Sequence, residues 1–151
     1  MKDIVAALAR EEIYAELTPD KLLRKTNKAG NEIYVIDYKN SPAIMHEIGR
    51  LREITFRDAG GGTGEETDID EFDIAEIPYK QLIVWDPDAK EILGGYRFLL
   101  GSEAPVDKNG EVMLATSHLF HFSKKFIDNY LPHSLELGRS FVQPAYQSSK
   151  A

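Results

Sequence analysis

Glu136 and Arg139 stand three residues apart in a run that ends at Pro144 and that predicts a strand over 133–142. Side chains alternate faces along a regular strand, so the pair would point opposite ways. A bulge would turn both toward one site, and Gly138 between them supplies the backbone freedom. Two opposite charges in an otherwise apolar strand are costly unless paired or used. Arg97, in the apolar run Gly94 to Leu99, has the same need, with Glu136 or an acid of the 65–73 loop as its partner.

That loop holds Asp70 and Asp73 among six carboxylates and suits a cation, either a metal or an amine, or else simple solvation. It lacks the glycine and distal glutamate of a calcium loop. Arg52 and Phe56 are four apart on one helical face, which spacing alone reads as Phe56 in the core with Arg52 beside it. His118 and His121 read as packing or edge residues, and no metal is expected. The glycine run 60–64 has no Gly-Lys-Ser/Thr after it, so it is read as a lid hinge and not as a phosphate loop.

The elements that must position these groups follow from periodicity. Helices are predicted over 3–17 and from Thr18-Pro19 to Arg24, then a strand over 32–38. A helix opening at Ser41-Pro42 carries Ile44, Ile48, Leu51 and Phe56 on its apolar stripe and ends at the glycines. A hairpin of strands 79–85 and 91–100 follows, then a helix over 123–130. This order is α/β material with a mixed sheet, in one domain over residues 1–151. The end at Gln147-Ser148-Ser149-Lys150 resembles a helix start with no helix after it, which is read as the N-terminal half of a longer protein.

Composition narrows the function classes. The chain has 151 residues, 42% of them apolar, enough for one real core. A net charge of −7 argues against nucleic-acid binding, though a local basic patch would still suit an acidic carrier protein. No cysteine means no disulfide and no thiol nucleophile, which fits a cytoplasmic location. No window approaches the ~18 apolar residues of a membrane span.

In order, Arg52-x-x-x-Phe56, Asp70-x-x-Asp73, the strand Arg97 and Glu136-x-x-Arg139 resemble the signature of the acyl-homoserine-lactone synthases, within the wider GNAT fold. The phrases at 49–54, 70–73, 81–86 and 136–146 are similar to a sister branch, the ornithine-lipid and glycine-lipid N-acyltransferases, loosely labelled hemolysin-like. The signal synthases usually carry a tryptophan shortly after the phenylalanine; Gly60, Gly61 and Gly62 stand there instead, against an adenosylmethionine substrate.

The resemblance implies a GNAT-like sheet flanked by helices and transfer of a fatty acyl group, often 3-hydroxylated, to an amino acid amine. Glycine is favoured as acceptor and ornithine next. The donor is acyl carrier protein or acyl-CoA, with no cofactor held, and the lipid product implies a peripheral membrane contact. Glu136 would take the amine proton, Asp70 and Asp73 would hold the amine or orient a basic partner, and Arg97 or Arg139 would bind the acceptor carboxylate. Arg52 and Phe56 would line the site. Phe141 and Val142 would pair with the pantetheine arm through their backbone, and Gln147 to Lys150 would meet its phosphate. The competing expectations are a signal synthase and a non-catalytic binding module.

Overall fold

The computed structural model describes residues 1–148. Among them, five strands form one sheet in chain order: β1 Leu22–Lys25, β2 Glu32–Ile36, β3 Lys80–Asp86, β4 Glu91–Leu100 and β5 Leu135–Val142. The helices are α1 Arg10–Glu16, α2 Pro42–Asp58 and α3 Lys124–Asn129. The expected sheet flanked by helices is present. The expected mixed pairing is not: every pairing between these strands is antiparallel.

Two local expectations fail for tertiary reasons. The helix expected over 3–17 is confined to α1, because the segment before it bonds outward. Lys2 N–H donates to Gly64 O (2.8 Å), Val5 N–H to Glu66 O (3.2 Å), and Leu8 N–H to Glu47 Oε2 (3.3 Å). These partners replace the helical ladder with an extended strap. After Thr18 a 3-10 turn, Pro19–Lys21, gives way to β1 and not to a helix. Pairing with β2 outweighs the helix propensity of its Leu and Lys residues.

The long helix forms as expected. Pro42 occupies its first turn, and its free N–H groups are capped from a distance. Glu16 accepts from Ala43 N–H (3.0 Å) and Ile44 N–H (2.9 Å), placing a carboxylate at the positive end of α2. Ile44, Met45 and Ile48 are then wholly buried against Ile36, Ile83 and Trp85 of the sheet. Each such side chain contributes about 1.5–3 kcal/mol. No described helix is long and apolar enough to cross a membrane.

A second, smaller core lies under the connection from β4 to β5. Tyr79, Leu99, Val112, Leu114 and Leu131 form it, with Phe72, Phe122, Phe126 and Ile127 around them. Gly101 starts this connection, and a Cβ there would lie 1.9 Å from Leu131 O. The close approach requires glycine.

Candidate functional site

The face of α2 next to the sheet core carries charge. Arg52 is wholly buried, not snorkelling. Its Nε lies 3.2 Å from Asp68 Oδ2, and its two terminal nitrogens each lie 3.2 Å from an oxygen of Asp73. Gly49, one turn earlier, lets the acidic loop lie against the helix, where Asp68 N–H donates to Gly49 O (3.0 Å). Arg97 reaches the same loop from β4, with Nη1 2.7 Å from Asp70 Oδ1 and 3.2 Å from Asp73 Oδ2. Arg139 closes the set from β5, 3.3 Å from Asp68 and 3.3 Å from Asp70. Gln81, inward on β3, adds a hydrogen bond to Asp73 Oδ1 at 3.0 Å.

The acidic loop is therefore neither a solvated strip nor an open cation site. Asp68, Asp70 and Asp73 are matched by Arg52, Arg97 and Arg139. Burial pushes the Asp70 carboxyl up, but Arg97, the Phe72 N–H and Arg139 outweigh it and hold it below the usual carboxylate range. Burial acts to lower Arg97, and its two aspartates raise it above the usual arginine value. Arg97 Nε alone among these arginine nitrogens is buried without a partner among the described residues; it lies 3.8 Å from where a Cβ on Gly138 would sit.

The bulge expected near Gly138 is present. Gly95 pairs with Phe141 and Arg97 with Gly138, so two steps on β4 meet three on β5. Arg139 takes the extra position, with φ of +52°, a left-handed conformation rare outside glycine. The bulge keeps Glu136, Arg139 and Phe141 on the α2 side of the sheet. Glu136 does not join the ion pairs: the loop acids Asp70 and Asp73 meet Arg97, and Asp68 meets Arg52 and Arg139. Glu136 Oε1 accepts from Tyr79 O–H at 2.8 Å and its Oε2 from Thr116 O–H at 2.7 Å. Tyr79 Oη accepts in turn from Ala115 N–H at 2.9 Å. The two groups of charges touch through Tyr79, whose ring lies 5.2 Å below the Arg97 guanidinium.

Other expected residues fall as follows. Arg52, expected to line the site, is sealed from it, and Phe56 packs on the main core. Phe141 is buried, while Val142 is exposed at the outer edge of β5. Gln143 N–H donates to Leu93 O, so the Val142 backbone points away from β4. The Val142 carbonyl there accepts from Gln147 Nε2 at 3.0 Å. Ser148 follows in a turn; Ser149 and Lys150 lie outside the described residues. The glycine run is tethered: buried Glu53 accepts from Thr63 N–H, Thr63 O–H and Gly64 N–H at 3.0, 2.6 and 2.8 Å. Burial would raise the Glu53 carboxyl, but these bonds and Arg57 hold it at about 2. His118 sits 3.3 Å from Glu71 and edge-on to Phe72.

Sequence reasoning missed Asp68, Tyr79, Gln81 and Thr116. Gln81 had a signal, since it interrupts the inward set Tyr79, Ile83 and Trp85 on β3 with a polar residue that must find a partner. Asp68 and Thr116 had none.

Over all 151 residues the chain is 60% identical to the glycine N(alpha)-acyltransferase of Phocaeicola vulgatus and 59% identical to that of Bacteroides thetaiotaomicron. It covers 46% and 45% of those proteins, so it spans a little under half the length of the curated relatives it matches. No solved structure matches it. The sequence profile of the acetyltransferase (GNAT) domain matches residues 51–151, a span that takes in every arginine of the cluster, its three aspartates and Glu136. With that match over most of its length, the chain belongs to the GNAT acetyltransferase family.

Proposed function

We propose that this chain carries the acceptor-binding and proton-accepting part of an N-acyltransferase that transfers a fatty acyl group, often 3-hydroxylated, to the amine of glycine, with ornithine the next acceptor. The observation that carries this reading is the 60% identity, across the whole chain, to a relative named glycine N(alpha)-acyltransferase. The donor is an acyl thioester on acyl carrier protein or coenzyme A.

The geometry supports a division of labour. Only a free amine attacks a thioester, so a proton must leave the ammonium first, and Glu136 accepts it directly or through water. Arg139, with a side chain 37% exposed against 0% for Arg52 and 5% for Arg97, binds the acceptor carboxylate. Asp73 is enclosed, so it orients Arg52 and Arg97 and does not meet the amine. Asp70 orients Arg97 and Arg139. Backbone N–H groups at the β5 bulge stabilise the developing oxyanion.

The outer edge of β5 takes the pantetheine arm as an added strand, with the Val142 backbone offering the outward-facing groups. Gln147 occupies the Val142 carbonyl in this structure, the position an arriving amide would take. Gln147 to Lys150 then approach the donor's phosphate. The product is an acyl amino acid whose chain partitions into lipid, so the enzyme works in the cytoplasm at the membrane face.

The test is incubation of the full-length protein with acyl carrier thioester and single amino acids, followed by mass spectrometry. Acylglycine is expected. Acylornithine alone would reassign the acceptor, and free fatty acid without acylated amine would replace transfer with hydrolysis.

A further inference from the structure

The carboxylate that the proposed reaction uses as its base is held by hydroxyls, not by a cation. Among the described residues it makes no salt bridge, although three arginines lie on the same side of the sheet. The directions of its bonds are fixed by the backbone. Ala115 N–H can only donate, so Tyr79 Oη accepts there and must turn its own proton to Glu136 Oε1. Thr116 donates to Oε2. Tyr79 cannot swing away: it is 2% exposed, edge-on to Phe72 at 5.5 Å and under Arg97 at 5.2 Å.

We propose that Tyr79 and Thr116 are positioning residues for Glu136, and that the connection between β4 and β5 is the element that aims this base. The proposal rests on the reading of Glu136 as proton acceptor. A carboxylate offers about four lone-pair sites, and the two hydroxyls take one on each oxygen. One site on each oxygen is left for the acceptor's ammonium proton or an intervening water. Neutral donors fix the orientation and bring no formal charge to the carboxylate. Ala115 and Thr116 come from a 3-10 turn, Ala115–His118, that packs over the second core, so the connection serves the site as well as the fold. The ring of Tyr79 under Arg97 sets this clamp at a fixed distance from the arginine cluster.

The experiment measures thiol release from acyl carrier thioester by the full-length protein across a series of glycine concentrations. Tyr79→Phe and Thr116→Val are each expected to lower kcat/KM about ten-fold, the scale of one lost hydrogen bond to a charged group. The loss is expected in kcat, with KM for glycine little changed, because neither hydroxyl is placed against the acceptor. Thr116→Ser keeps the hydroxyl and is expected to keep the wild-type kcat. If Tyr79→Phe unfolds, the Thr116 pair decides, since that residue lies on a partly exposed turn. Wild-type kcat and kcat/KM in Thr116→Val, with Glu136→Gln inactive, would overturn the clamp and leave the base in place. Wild-type turnover in Glu136→Gln would remove the base assignment and the clamp with it.

Discussion

The ion-pair cluster and the Glu136 clamp lie side by side, yet they solve opposite problems. The cluster encloses Arg52, Asp68 and Asp73 almost completely and matches charge with charge. Buried charges of this kind gain little net stability, but each is ruinous when its partner is lost. The clamp uses neutral hydroxyls and leaves its carboxylate partly exposed. One arrangement fixes where helix, loop and strands meet; the other keeps a group available. A sealed charge network is a poor place to take up a proton and a good place to fix the residues beside it.

The contrast is broken most severely at Arg52. Arg52→Ala takes one of two arginine partners from each of two buried carboxylates, Asp68 and Asp73, and unfolding in denaturant is expected to show a loss of about 3–5 kcal/mol. A loss under about 1 kcal/mol, as for surface pairs, would mean that the cluster is solvated. Gly101→Ala strikes the other side, since its Cβ would meet the Leu131 carbonyl and lift the connection that carries Thr116. A thermal melt should show about 1–3 kcal/mol of destabilisation, typical of overpacking, with activity reduced further than stability.

Glu53 tests whether the loop beneath the cluster is held by charge. Its carboxyl is held at about 2, below its unfolded value, so its stabilisation is present above the unfolded range. That contribution is lost as pH falls through the unfolded range toward about 2. Stability measured from neutral to acid pH should decline over that window. Glu53→Gln should flatten the decline and remove about 1–3 kcal/mol at neutral pH. The smallest effect on stability is expected at Arg139, the most exposed arginine of the set. Arg139→Ala should cost about 1 kcal/mol or less, while acylglycine formation is expected to fall sharply under the proposed role of Arg139 as ligand of the acceptor carboxylate.

Much of this was open to reading along the chain. The hairpin of β3 and β4, the helix opening at Pro42 and the strand ending near Val142 each follow from local period and turn chemistry. The bulge was readable because an acid and an arginine separated by Gly138 have one economical way to share a face. Two elements were misread where long-range hydrogen bonds overrode local preference: the strap before α1 takes its partners from residues 47, 64 and 66, and β1 takes its own from β2.

By itself, the sequence determined which residue types stand at which positions and therefore the family, the helix and strand periods, and the excess of arginine and carboxylate around one strand pair. Only the tertiary structure decided who pairs with whom. Asp68 joined the ion pairs because α2, at Gly49, draws its stretch of loop against Arg52. Glu136 turned instead to hydroxyls that lie 57 and 20 residues away. Carboxylates of one loop are nearly alike in sequence. They become distinct when burial makes an unpaired charge costly and geometry admits a single partner for each.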